Sequence, residues 1–83
     1  MDYYLFVARS VTQAQHMAQV LAGCGIRAAV LRTPVGLSER GCSHAVKIRA
    51  EKLSVARACL VRARLQPLHI YHQDANGYKE VSI

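Results

Sequence analysis

Tryptophan is absent and phenylalanine occurs once, at Phe6. With so few large rings, small aliphatic side chains must fill the interior, and the 52% hydrophobic content supplies them. Long hydrophobic runs are missing too. The longest, Tyr3 to Ala8, is far too short to span a bilayer. The start, Met1-Asp2-Tyr3-Tyr4, lacks the basic region, apolar stretch and cleavage site of a signal peptide, so the expectation is a cytoplasmic protein that no membrane holds. Cysteine is sparse and odd in number: Cys24, Cys42 and Cys59, with no CxxC pair. That pattern argues against a disulfide framework and a thioredoxin-type motif. Paired Cys/His knuckles are lacking, which argues against a structural zinc site. Acidic residues are few, five against eleven Lys and Arg, for a formal net charge of +6. Such a surface attracts nucleic acid, anionic membranes or small anions. The basic residues are spread from Arg9 to Lys79, which speaks against a localisation signal or a nucleic-acid-binding arm.

What is present fits one domain, 1–83. Asp2 to Ala8 reads as a strand that is apolar on both faces, as a central strand is. Ser10 to Cys24 reads as a helix. Ser10 is its N-cap, Gln13 completes a capping box, and Gly23 and Gly25 end it. Val11, Ala14, Ala18 and Leu21 form its expected buried stripe. Ile26 to Arg32 is a second strand, stopped by Pro34, and Thr33 to Gly41 is the longest loop. His44 to Arg49 alternates, with Val46 and Ile48 on one face and Lys47 and Arg49 on the other. Glu51 to Leu65 is a second helix with Leu53, Ala56, Leu60 and Ala63 inward. Leu68 to Gln73 is a fourth strand. Asp74-Ala75-Asn76-Gly77 is a turn, and Tyr78 to Ile83 returns as a short edge strand.

This order predicts an α+β, ferredoxin-like βαββαβ sandwich: an antiparallel sheet of order 4-1-3-2, two helices on one face, and a short C-terminal edge strand. With Leu5 and Val7 toward the helices, Tyr4, Phe6 and Ala8 would form an apolar open face suited to a homodimer. Cys24 and Cys59 lie on or beside apolar helical faces and are expected as small core residues. Cys42 lies in the polar loop, where burial explains it least.

The topology also gives Cys42 a setting. In this sheet the start of strand three lies beside the end of strand one, which leads into the first helix at Ser10. Cys42 is therefore expected near unpaired helix amides and a positive dipole end. Arg40 and His44 flank it, Arg9 and Arg32 end strands at the same edge, and Arg62 or Arg64 is expected nearer as well. Only a thiolate is nucleophilic, and positive surroundings lower a thiol pKa from its usual ~8.5. His44 serves either as a partner base for Cys42 or as a rim histidine. His69 and His72 fall on opposite faces of the last main strand, with no metal-ligand spacing.

Several stretches carry a family resemblance: Tyr3-Tyr4-Leu5-Phe6, Gly25-Ile26, Thr33-Pro34, Leu37-Ser38, Gly41-Cys42, Ile70-Tyr71 and Gly77-Tyr78. Over its whole length the chain resembles the selenium/sulfur carrier-protein-like domains, small bacterial and archaeal proteins. The resemblance implies that Cys42 is the carrier position; Ser43 stands where that family has glycine.

The leading expectation is a sulfur or selenium carrier, a binding protein rather than an enzyme. Cys42 would accept the cargo, with Arg40, Ser38, His44 and Ser10 around it. It would use no cofactor and no metal, and its partners would be donor and acceptor proteins. The alternative is a non-catalytic binding, regulatory or dimerisation module. RNA recognition would need aromatics across the open sheet face. Strand three offers none and the RNA-recognition octapeptide is missing, so nucleic acid is not expected. An acylphosphatase-like anion loop is not expected either, because Ala8-Arg9-Ser10 is too short and lacks glycine.

Overall fold

The structure, a computed structural model, describes residues 2–34, 37 and 44–81. In chain order the elements are β1 (Tyr3–Ala8), α1 (Val11–Gly23), β2 (Ala29–Arg32), β3 (His44–Arg49), a 3-10 turn (Ala50–Lys52), α2 (Leu53–Arg62), β4 (His69–Asp74) and β5 (Gly77–Val81). The strands form one antiparallel sheet of order β2-β3-β1-β4-β5. Read from the other edge, inside β5, the strands β4-β1-β3-β2 keep the expected order 4-1-3-2. The expected short C-terminal edge strand is β5, which pairs outside β4 and spans Gly77–Val81. The hairpin joining them pairs Asp74 with Gly77, and the Asp74 carboxylate accepts from the Asn76 N–H at 2.8 Å.

β1 is central, with β3 on one side and β4 on the other. Its two faces are assigned by packing. Phe6 and Ala8 join Val46, Ile48 and Ile70 in a core with Ala14, Met17 and Leu21 of α1 and Ala56, Cys59 and Leu60 of α2; Tyr4 packs against it. Both helices therefore cover the Tyr4-Phe6-Ala8 face, the reverse of the expected assignment. Those three residues offer no open surface to a homodimer or to stacked bases. Leu5, Val7 and Ala45 lie on the opposite face and are still 0–2% exposed. Leu31, Leu37 and Tyr71 pack over them. An apolar strip without helices is thus closed by the chain's own side chains, which removes the unfavourable contact with water.

The helix stripes shift slightly from the periodic pattern. Met17 is fully buried, whereas Val11, in the first turn of α1, is 41% exposed. In α2 the buried set is Ala56, Cys59 and Leu60; Ala63 is the C-cap and lies outside the helix proper. β2 begins at Ala29 rather than Ile26 because Ile26 belongs to the end of α1: its N–H donates to the Leu21 carbonyl at 3.0 Å.

The largest departure concerns the cysteines. Cys24, the C-cap of α1, and Cys59, in α2, are joined in a disulfide across 35 residues of sequence. They were expected as separate core thiols. Each does lie against the core, but the two helices share one layer, and packing side by side brings the sulfurs together.

Candidate functional site

The expected site is built where β1 hands over to α1. Ser10 is extended (φ −153°) and its hydroxyl accepts from the Gln13 N–H at 3.1 Å. The Gln13 side chain reaches back to accept from the Arg9 N–H at 2.7 Å. This is a capping box whose return bond falls one residue before the cap. It takes up the amides of Arg9 and Gln13. Among the described residues, the amides of Val11 and Thr12 are left for other acceptors, at the positive end of a thirteen-residue helix.

β3 starts beside this point. His44 is the register partner of Ala8 on β1 and of Arg32 on β2. It shares the helix-side face with Val46 and Ile48 and is half-buried. Arg9 follows Ala8 directly, and Arg32 ends β2. The expected juxtaposition of His44, Arg9, Arg32 and the α1 start is therefore present. Cys42, Arg40 and Ser38, the rest of the expected site, lie outside the described residues, two to six positions before His44 in sequence.

Leu37, in the same loop, is hydrogen-bonded to β4. Tyr71 on β4 donates its hydroxyl to the Leu37 carbonyl at 3.1 Å, and the Leu37 N–H donates to the Pro34 carbonyl at 3.2 Å. Leu37 packs on the Leu5-Val7-Ala45 cluster. The β2–β3 connection thus touches β4, two places from β3 and three from β2, and Leu37 joins Leu31 and Tyr71 over the sheet's second face.

The second-helix arginines Arg62 and Arg64 part company. Arg62 points its Nη2 to 3.9 Å from Cys24 Sγ. Cys24 ends α1, about 20 Å from Ser10 at 1.5 Å per residue. Arg64 lines a groove of about 400 Å³ with Phe6, Leu60, Leu65, Pro67 and Ile70. Arg62 is thus at the far end of α1 from Ser10, whereas Arg64 sits by Phe6 and Ile70, near the end of β1. Cys59, in the second half of α2, is bonded to Cys24 at the end of α1, and Arg62 reaches Cys24 from the next turn.

The two histidines of β4 are on opposite faces, as expected. His69 Nδ1 is 2.8 Å from Glu80 Oε2. His72 Nε2 is 3.1 Å from Asp2 Oδ2, and its ring lies 4.9 Å from that of Tyr4. Among the described residues no group of three or more His, Cys, Asp or Glu could hold a metal ion. No helix among them is long and apolar enough to cross a membrane.

Sequence reasoning missed the Cys24–Cys59 pair and its Arg62 neighbour. The available signal was that both cysteines flank apolar stripes on helices placed in one layer; their facing each other depends on the helix crossing, which periodicity does not encode.

No curated protein and no solved structure matches the chain. A family model described as putative Se/S carrier protein-like matches residues 3–72, most of the chain, and the protein belongs to that family.

Proposed function

We propose that the chain, as one domain in the cytoplasm, is a carrier of sulfur or selenium that uses the thiol of Cys42. The observation that carries the reading is the register of His44 against Ala8. Two residues after Cys42, the chain is fixed beside the start of α1, with Arg9 and Arg32 at the same edge. A thiolate at this edge would gain from the helix amides and from both guanidinium groups. The description of the family, putative Se/S carrier protein-like, supports sulfur or selenium as the cargo class.

The chemistry needs no oxidant. The Cys42 thiolate attacks the terminal sulfur of a donor protein's persulfide. A new S–S bond forms, the donor's inner S–S bond breaks, and the donor cysteine leaves as thiolate. Selenium would travel likewise as a selenosulfide. An acceptor nucleophile then takes the terminal atom and Cys42 leaves as thiolate. Ser38, Arg40, His44 and Ser10 would hold the anionic terminal atom, and donor and acceptor proteins are the partners. The ferredoxin-like arrangement serves by presenting one loop at one sheet edge.

The test is incubation with a cysteine desulfurase and cysteine, followed by intact-mass analysis. A species one sulfur heavier, absent in Cys42→Ser, is expected. Absence of any adduct on Cys42 rejects the carrier reading and favours a binding module without chemistry.

A further inference from the structure

The two sulfurs of the helix-layer disulfide have different surroundings. Cys59 is 3% exposed and its Sγ lies 3.3 Å from the Val20 carbonyl oxygen. Cys24 is half-buried, at the end of α1, with Arg62 Nη2 3.9 Å from its Sγ. A disulfide sulfur has no proton to donate, so the Val20 carbonyl gains nothing from oxidised Cys59. A Cys59 thiol would have that acceptor ready. A guanidinium likewise does little for a neutral disulfide sulfur and much more for a thiolate. The C-terminal end of α1 works against negative charge at Cys24, and Arg62 is the group that offsets it. Both neighbours are matched to the reduced pair: an anion at Cys24 and a neutral, buried thiol at Cys59.

We propose that Cys24 and Cys59 form a thiol–disulfide exchange site, separate from Cys42, whose substrate is a dithiol and whose attacked sulfur is Cys24. Access decides the direction, because only Cys24 presents surface to an incoming thiolate. One thiolate of the dithiol attacks Cys24 Sγ. The Cys24–Cys59 bond breaks, and its electron pair leaves on Cys59 Sγ, which takes up a proton and donates to the Val20 carbonyl. The dithiol's second thiol loses its proton and attacks its partner sulfur in the mixed disulfide. Cys24 leaves as thiolate beside Arg62. The dithiol is oxidised to a disulfide and the protein pair gains two electrons. In reducing compartments disulfides are transient and redox-active, whereas in oxidising ones they persist as staples. Reversible exchange in the folded state separates the two.

The experiment uses the full chain carrying Cys42→Ser, so that the carrier reading is not in play. The oxidised protein is treated with dithiothreitol without denaturant, quenched by alkylation and mapped by mass spectrometry. Reduction of the pair, with re-formation in oxidised glutathione, is expected. With Cys59→Ser added, oxidised glutathione should modify Cys24. With Cys24→Ser instead, Cys59 should react at least about tenfold more slowly, as a buried thiol does. Should either variant fail to fold, rapid acid quenching of the unaltered pair identifies the sulfur that first carries glutathione. Arg62→Ala should slow alkylation of reduced Cys24 about threefold, and Arg62→Lys should retain most of the rate. A pair that opens only in denaturant, a first adduct on Cys59, failure of the thiols to pair, or a Cys24 rate indifferent to Arg62→Ala would overturn the proposal.

Discussion

Arg64 closes α2 in the same left-handed conformation with which Gly25 closes α1, at φ 58° and 78°. The hydrogen bonds correspond. Gly25 and Ile26 donate to the carbonyls of Ala22 and Leu21, and Arg64 and Leu65 donate to those of Val61 and Leu60. Both ends are Schellman caps, but only one carries the residue that suits it. A side chain in this region costs about 1–2 kcal/mol, and part of any relief is offset by glycine's greater freedom when unfolded. Arg64→Gly should therefore stabilise the protein by about 0.5–1 kcal/mol. Gly25→Ala should destabilise it by about 1 kcal/mol although nothing lies within 4 Å of the added carbon. Urea midpoints at constant m-value report both. A midpoint lowered by Arg64→Gly would mean that Arg64's packing in the groove outweighs its backbone strain.

The Ser10 cap joins stability to the candidate site. Ser10→Ala removes the acceptor of the Gln13 N–H and should cost about 1 kcal/mol, with Ser10→Gly costing a few tenths. The Ser10→Asp variant keeps the cap but adds negative charge at the edge where Cys42 is proposed to react. Its stability should match wild type while the alkylation rate of Cys42 falls. An unchanged rate would separate the thiol from the α1 start.

Much of this frame was legible from local chemistry. Ser10 and Gln13 announced the α1 cap, and His44 to Arg49 alternated so cleanly that β3 matches the expected strand. Asp74 to Gly77 carried its turn residues. The faces of β1 were not legible, because Tyr3 to Ala8 is apolar throughout and no period distinguishes Phe6 from Leu5. Packing assigns them: the helices take Phe6, and Leu31, Leu37 and Tyr71 close over Leu5. The disulfide was illegible for a related reason. Each cysteine's position is local, but their meeting depends on the crossing of two helices. For the site, sequence supplied Ser10 and His44, and the register sets His44 opposite Ala8, two residues before Ser10, while Arg62 lies at Cys24 and Arg64 lines the groove.

Tyr71 holds the β2–β3 connection through one hydroxyl, donated to the Leu37 carbonyl. Tyr71→Phe keeps the ring over Leu5 and Val7 and removes that bond. A loss of about 1 kcal/mol is expected, the usual net value of a partly buried hydrogen bond. Amide exchange at Leu37, whose N–H bonds Pro34, should accelerate more than exchange in α1. Equal protection at Leu37 in both proteins would show that its side-chain packing alone fixes the connection.

Opening the disulfide should weaken the fold without abolishing it. Closing 35 residues of chain stabilises by up to about 4 kcal/mol in the chain-entropy model, with smaller values where the unfolded chain retains structure. The core beneath has contacts besides the bond: Met17 and Leu21 join Ala56 and Leu60 with Phe6. Reduced Cys42→Ser protein should therefore unfold cooperatively at a lower urea midpoint, by about 2–4 kcal/mol, with an m-value larger or unchanged. The Cys24→Ala, Cys59→Ala pair should reproduce that loss in the absence of any reductant. If reduced and oxidised proteins unfold at the same midpoint, the bond constrains nothing that the helix packing does not already hold. If the reduced protein is unfolded in water, the two helices depend on the bond for their docking, and folded-state exchange at Cys24 is ruled out with it.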